Sequence, residues 1–374
     1  MQFSDIIGQK EAVNRLSQMV AGDRIPHALL FLGPEGSGKI DLALAFAQFA
    51  MCENKQGLDS CGQCRSCIKM AKFIHPDLHF SYPVVGSKVK SDDYLTQWRS
   101  AIGDNSFMNI NDWLQLIGAA NKQGNINKEE CLNIIRKLSL KAFEGEYKIL
   151  IMWLPEYLGK EGNRLLKLIE EPPENTLFVL LAEQQELILN TILSRCQLVK
   201  VPRLKDEEVI QGLEKKGLAT NEQASSIAFL SGGNFNEAIK LAQKNENDNA
   251  TLFLEWLRKC YKGNGVDLVK WVDKFAGIGR ENQKYFLKYG LHFLRELLLH
   301  RVTGSNALRL GPQEKKTAQN LTNVLGPEQI EDISHLLSEV IYYIERNANP
   351  KVLFLDTSIQ LHEIIRKKRA VGAS

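Results

Sequence analysis

The sequence predicts an α/β domain built on a parallel sheet, followed by all-α regions, and three observations predict it. A Gly-rich loop, Gly33-Pro34-Glu35-Gly36-Ser37-Gly38-Lys39-Ile40, stands between an apolar run and the start of a helix. Strand-like apolar runs alternate with helical spacing as far as about residue 202, the pattern of a sheet covered on both faces. From about residue 250 no strand pattern recurs. At 374 residues the chain exceeds what one hydrophobic core supports, so two or three domains are expected, and the pattern along the chain divides it into residues 1–202, 203–245 and 250–374.

The elements follow in order. Leu29-Leu30-Phe31-Leu32 reads as a buried strand and Asp41–Ala47 as a helix beginning, the context in which Gly33, Gly36, Ser37, Gly38 and Lys39 form a phosphate-binding P-loop. Glycines let backbone N–H groups curl around phosphates, the lysine meets them, and a final Ser or Thr ligates magnesium. Ile40 stands in that last place and cannot ligate anything. Weak ATP or ADP binding and a purely structural loop both stay open from the residues alone.

Cys52, Cys61, Cys64 and Cys67 follow, spaced C-x8-C-x2-C-x2-C, which reads as a four-thiolate, closed structural Zn²⁺ site. Clustered reduced thiols are the alternative. Residues 78–124 fit the alternation poorly; they are expected to be an insertion packed on the first domain, with Trp98 and Trp113 on helical stretches. Tyr147–Trp153 and Thr176–Ala182 read as strands. Between them Asn163–Glu171 has helical spacing and is stopped by Pro172-Pro173. Gln197–Val201 reads as the last strand before Pro202. Residues 203–245 form short amphipathic helices around a Leu230–Asn234 break, a small helical lid. Beyond 250, Leu287, Leu291, Leu294 and Leu298, and Ile333, Leu336, Leu337, Val340, Ile341 and Ile344, repeat with helical period, as in a bundle. Asn349-Pro350 is an N-cap and first-turn proline opening a last helix that ends in Arg366-Lys367-Lys368-Arg369.

Composition narrows the classes. The 47 basic and 44 acidic residues leave a net charge of +3, too mild to identify a nucleic-acid binder, so any DNA contact must be local or shared. No secretion signal and no run of membrane-spanning length are found; a cytoplasmic protein without a membrane partner is expected.

With these residues in view, the chain resembles the delta-prime subunits of the bacterial DNA polymerase III clamp loader, a family within the AAA+ proteins. Phe3–Gln9 is similar to the segment that covers the adenine, and the four-cysteine module with His75-Pro76-Asp77 to the family's zinc module. Leu165–Pro173, Ser194-Arg195-Cys196 and Asn347-Ala348-Asn349-Pro350 match further signatures. The resemblance implies an AAA+ P-loop NTPase-like domain, a helical lid and a C-terminal collar that oligomerises. It implies gamma/tau and delta subunits as partners in a hetero-pentamer, with the sliding clamp and primed DNA reached through the complex. It also implies that Arg195 acts as an arginine finger in the ATP site of a neighbouring subunit; an arginine held in a helix-start salt bridge is the alternative. Ser194 is expected to cap the following turn and Cys196 to pack beneath it.

Departures from the family matter for mechanism. Trp153 stands near the expected Walker B aspartate, Asn236 where the lid's sensor arginine would be, and Ile40 at the metal ligand. Turnover in the chain's own site is therefore not expected, nor any Mg²⁺-dependent hydrolysis, because phosphoryl transfer depends on positioning and on charge stabilisation. The expected role is a non-hydrolysing stator in the polymerase holoenzyme, a nucleotidyltransferase complex. Two alternatives are an active gamma/tau-like ATPase using Glu156 for metal, and a zinc-module or basic-tail DNA binder.

Overall fold

The computed structural model describes every residue except 121, 244–246, 305–309, 311, 323 and 367–374. Five parallel strands form one sheet: β1 Ala28–Leu32, β2 Leu78–Ser81, β3 Lys148–Trp153, β4 Thr176–Ala182 and β5 Gln197–Lys200, in the order β2-β3-β4-β1-β5. The register sets Leu30 beside Leu180 and Leu198, and Ile151 beside Phe80 and Val179. β3 and β4 are buried at every position, as continuous apolar runs in a doubly covered parallel sheet require.

Alternate residues feed two cores. Leu29, Phe31, Ile149, Ile151, Trp153, Val179 and Leu181 point to one face, covered by α1 (Lys10–Ala21) and α2 (Lys39–Ala50). Leu30, Leu150, Met152, Phe178 and Leu180 point to the other. Helix α3 (Arg65–Ala71) closes the cysteine module, and α4 (Leu95–Asp104) and α5 (Ile110–Leu116) carry Trp98 and Trp113. α6 (Lys128–Leu138), α7 (Leu166–Glu170) and α8 (Asn190–Leu193) supply residues to the second core.

Two segments differ from their sequence reading. Residues 78–124, read as an insertion packed on the domain, open with the edge strand β2, and their aromatics enter the main core. Tyr82 stacks on Trp98 at 4.1 Å, and Trp98 lies 5.2 Å from both Trp113 and Trp153. The strand was hidden because it has only four residues and includes His79. In the 163–171 stretch, residues through Leu165 lie in 3-10 turns running from Pro155, and α7 begins only at Leu166.

The remaining helices are α9 (Asp206–Lys215), α10 (Asn221–Ser231), α11 (Phe235–Gln243), α12 (Asn247–Lys262), α13 (Gly265–Ala276), α14 (Arg280–Thr303), α15 (Pro312–Leu321), α16 (Pro327–Glu345) and α17 (Pro350–Arg366). The chain divides into two compact units, Met1–Gln211 with Gly232–Glu237, and Gly212–Ser231 with Ala238–Ser374. The second unit is helical, cored by Trp256, Trp271, Phe286 and Phe354. Asn349 caps α17 as its sequence foretells, its Oδ1 accepting the Lys351 N–H at 3.0 Å. Among the described residues no helix is long and apolar enough to cross a membrane.

Candidate functional site: a closed P-loop, a thiolate cluster and Arg195

Strand β1 delivers the P-loop at the carboxyl edge of the sheet, where open α/β sheets bind ligands. Gly36 and Gly38 have φ of +69° and +86°, so the turn into α2 needs glycine at both. Lys39, 5% exposed, is turned into its own loop: its Nζ donates to the carbonyls of Gly33 and Pro34 at 2.7 Å each and lies 3.5 Å from Glu183 Oε1. Burial lowers the Lys39 pKa against the pull of Glu183, and burial likewise raises that of Glu183. Ile40 is 4% exposed and packs in the main core, which explains a butyl group where a metal-binding hydroxyl would stand. Ser37 Oγ is buried without a hydrogen-bond partner. Gln9, in the segment likened to an adenine cover, donates to Ser37 O at 3.0 Å and Pro202 O at 2.7 Å.

Little space remains beside the loop. The cavity lined by Gly36–Ile40, Ser106–Met108, Trp153 and Glu183 measures about 10 Å³, at the lower limit for a single water. Phe235 N donates to Gly36 O at 3.0 Å, and a Cβ on Gly36 would meet Asn234 Oδ1 at 1.8 Å.

The residues at the lost metal and cation positions have other tasks. Trp153 packs its indole against Trp98. Glu156, the alternative metal carboxylate, accepts the N–H groups of Glu183 and Gln184 (2.8 Å to the latter) through Oε1, tying the turn after β3 to the turn after β4; its Oε2 is buried and unpartnered. Asn236, fully buried, accepts from Asn105 at 2.8 Å and donates to Asp112 at 2.7 Å. Glu183 went unnoticed in the sequence, although a carboxylate one residue past a buried strand could have marked it.

The four cysteines converge. Their Sγ atoms all lie within 4.8 Å of one another, Cys61 and Cys67 at 3.9 Å, and none is in a disulfide. Zn–S bonds near 2.3 Å imply tetrahedral S–S spacings of about 3.8 Å, so the donor set fits Zn²⁺. Backbone N–H groups face the sulfurs: Cys61 N to Cys52, Gln63 N and Cys64 N to Cys61, and Cys67 N to Cys64, at 3.2–3.4 Å. The N–H groups of Gln63 and Cys64 pull the Cys61 thiol down to about 6, whereas burial pushes Cys52 and Cys67 up. Four thiolates this close need a cation among them to be charged together.

Arg195 lies just past α8. Its Nη2 pairs with Glu170 Oε1 at 2.8 Å and its Nη1 donates to Thr191 O at 2.7 Å, with the side chain 30% exposed. Two sequence signatures thus meet, since Glu170 closes α7. Ser194 Oγ donates backward to Thr191 O at 3.2 Å; it does not cap a following turn. Cys196 packs against the second core, where burial pushes its thiol up to about 11. Of the basic tail, Lys367, Lys368 and Arg369 lie outside the described residues.

Comparison with known proteins follows this geometry. A family model described as "DNA polymerase III, delta subunit" matches residues 8–205, more than half of the chain. DNA polymerase III subunit delta' of Bacillus subtilis is 27% identical over 64% of this chain and 60% of its own length. Subunit delta' of Yersinia pestis is 32% identical over 46% of this chain and 40% of its own length. Subunit tau of Bacillus subtilis is 23% identical over 91% of this chain and 55% of its own length. The chain thus spans about 40 to 60% of the length of these relatives. On the extent of the family match, the chain belongs to the DNA polymerase III delta subunit family and is delta-prime-like.

Proposed function

We propose that this protein is a non-hydrolysing, delta-prime stator subunit of the clamp loader, supplying Arg195 in trans to the ATP site of a gamma/tau neighbour. Its partners would be the gamma/tau and delta subunits, and through the complex the sliding clamp and primed DNA, in the cytoplasm. The single observation that carries the reading is the closed P-loop, with Lys39 bonded to its own loop and a cavity of about 10 Å³. A loop in that state contributes neither phosphate binding nor metal, and Glu156, the substitute ligand an active ATPase would use, is committed to backbone N–H groups. The four cysteines would hold a structural Zn²⁺, the short helices within residues 203–245 would form a lid, and helices beyond residue 250 would form the collar.

The finger role is physically cheap to reach. The Arg195–Glu170 pair is exposed, 30% and 54%, and such pairs contribute about 0–1 kcal/mol. A phosphate oxyanion can therefore draw the guanidinium away, and its planar fork binds two oxygens at once. In GTPases such arginines are worth ~10³–10⁵ in rate.

The test is reconstitution with motor and delta subunits, comparing wild type with Arg195→Ala. The variant is expected to assemble normally and to lose clamp- and DNA-stimulated hydrolysis at one interface. Unchanged turnover removes the finger role. Magnesium-dependent ATPase activity of the purified chain alone, abolished by Lys39→Ala, would favour the gamma/tau-like alternative instead.

A further inference from the structure

The small pocket beside the P-loop is walled in part by a segment from elsewhere in the chain. Between α4 and α5 the backbone runs across the P-loop, so that Ser106, Phe107 and Met108 form one wall of the remnant cavity. The Phe107 ring lies 3.3 Å from where a Cβ on Gly38 would stand and 4.6 Å, centroid to centroid, from Phe235.

A chain of amides and carboxylates fastens this crossing. Asn105 Nδ2 donates to Asn236 Oδ1 at 2.8 Å, and Asn236 Nδ2 donates to Asp112 Oδ2 at 2.7 Å. Asp112 Oδ2 also accepts the Asn109 N–H at 3.1 Å. Asn109 Nδ2 then reaches Glu35 Oε1 in the P-loop at 3.0 Å, and Asn234 Nδ2 meets the same oxygen at 3.2 Å. Three stretches far apart in sequence, Gly33–Ile40, Asn105–Asp112 and Asn234–Asn236, become one hydrogen-bonded body.

We propose that Asn105–Asp112 is a built-in strap that occupies the phosphate site in place of a polyphosphate and holds the P-loop against the Asn234–Asn236 turn without any nucleotide. In an open P-loop a bound phosphate satisfies the loop N–H groups and the lysine. Here the loop carbonyls hold the Lys39 ammonium, and the Phe107 ring fills the apolar side of the same volume. The strap deepens the closed-site part of the function proposed above and is independent of Arg195.

The experiment uses the full chain with inorganic pyrophosphate as the probe, titrated calorimetrically, and hydrogen exchange of the Gly36–Ile40 amides as a second readout. Wild type is expected to take up no pyrophosphate at millimolar concentration. Phe107→Ala removes the ring and is expected to bind it about tenfold or more tightly than wild type, a gain that adding Lys39→Ala reverses. Asn109→Ala leaves the Phe107 side chain unaltered and removes one of the two amide contacts to Glu35 together with the N-cap of α5, so exchange at Gly36–Ile40 should quicken by about tenfold or more even if Phe107→Ala does not fold. Wild type binding pyrophosphate as tightly as Phe107→Ala overturns the strap, as does unchanged exchange in Asn109→Ala. Neither result bears on the Arg195→Ala comparison, so the two failures are distinguishable.

Discussion

Removing the proposed Zn²⁺, or replacing Cys64 with serine, should unfold the cysteine module while leaving the sheet intact. The segment Cys52–Cys64 holds 13 residues, and ordering it costs about 1–2 kcal/mol each, roughly 13–26 kcal/mol in all. Its apolar cluster consists of the cysteines themselves. Its polar anchors are few. Gln2 Nε2 donates to Ser60 O at 2.5 Å, the N–H groups of Phe3 and Ser4 to Asp59 at 3.1 Å, Gln48 to Ser60 Oγ at 2.9 Å, and Ser66 N to Glu53 at 3.1 Å. At ~1 kcal/mol apiece these supply roughly 5 kcal/mol. Structural zinc sites contribute about 10–16 kcal/mol of apparent binding free energy, a figure already net of ordering their ligands, so modules with few other anchors fold only with the metal. Zn²⁺ held as proposed would therefore decide whether the segment is ordered. The assay is metal content by mass spectrometry together with hydrogen exchange at Cys61, Gln63, Cys64 and Cys67, whose N–H groups face sulfur. In chelated protein or in Cys64→Ser those amides should exchange about 100-fold faster or more, and β3 and β4 should keep their protection. Unaltered protection at the four amides after complete zinc removal, or full zinc content in Cys64→Ser, would refute the reasoning.

Two further outcomes are expected. Asp77, its side chain 4% exposed, takes the N–H groups of Phe143, Glu144 and Gly145 at 2.6, 2.9 and 2.8 Å. Burial opposes its charge, but those N–H groups outweigh it and hold the carboxyl below the usual range. Asp77→Asn should cost about 2–3 kcal/mol in urea unfolding near neutral pH. Because the folded value is depressed, that advantage is complete above the unfolded carboxylate's pKa of about 4 and fades as pH falls through the folded one, so a gap unchanged at pH 2–3 contradicts it. Trp98, 1% exposed against Tyr82, Trp113 and Trp153, should cost about 3–5 kcal/mol when cut to alanine. Trp98→Phe should cost less, because it keeps a ring in the cluster and removes an Nε1 that is buried without a partner; a loss as large as that of Trp98→Ala would contradict this.

What could be read from the sequence was local chemistry. β4 occupies the expected Thr176–Ala182, and β1 and β3 came within a residue at either end, because a strand buried on both faces must be a continuous apolar run; β5, a partly exposed edge strand, also came within a residue. β2 escaped because four residues with a histidine carry no such run. The onset of α7 was misread because helical spacing of leucines does not distinguish α from 3-10 turns. Cys52 to Cys67 announced themselves by spacing, since ligands to one ion in a short module must recur at short intervals. Residue 40 announced a lost metal ligand by its identity alone.

The sequence by itself determined that the loop at Gly33–Ile40 lacks a magnesium ligand, that four cysteines are spaced for one ion, and that Arg195 stands in a family signature. Only the tertiary structure decided that Phe107 and Asn234 crowd the loop, and that Arg195 rests on Glu170. The physical reason is range: ligand spacing and side-chain chemistry are properties of neighbours in the chain. Whether a cavity stays open depends on side chains that arrive from about 70 and 200 residues away and fill the same volume, as close-packed interiors demand.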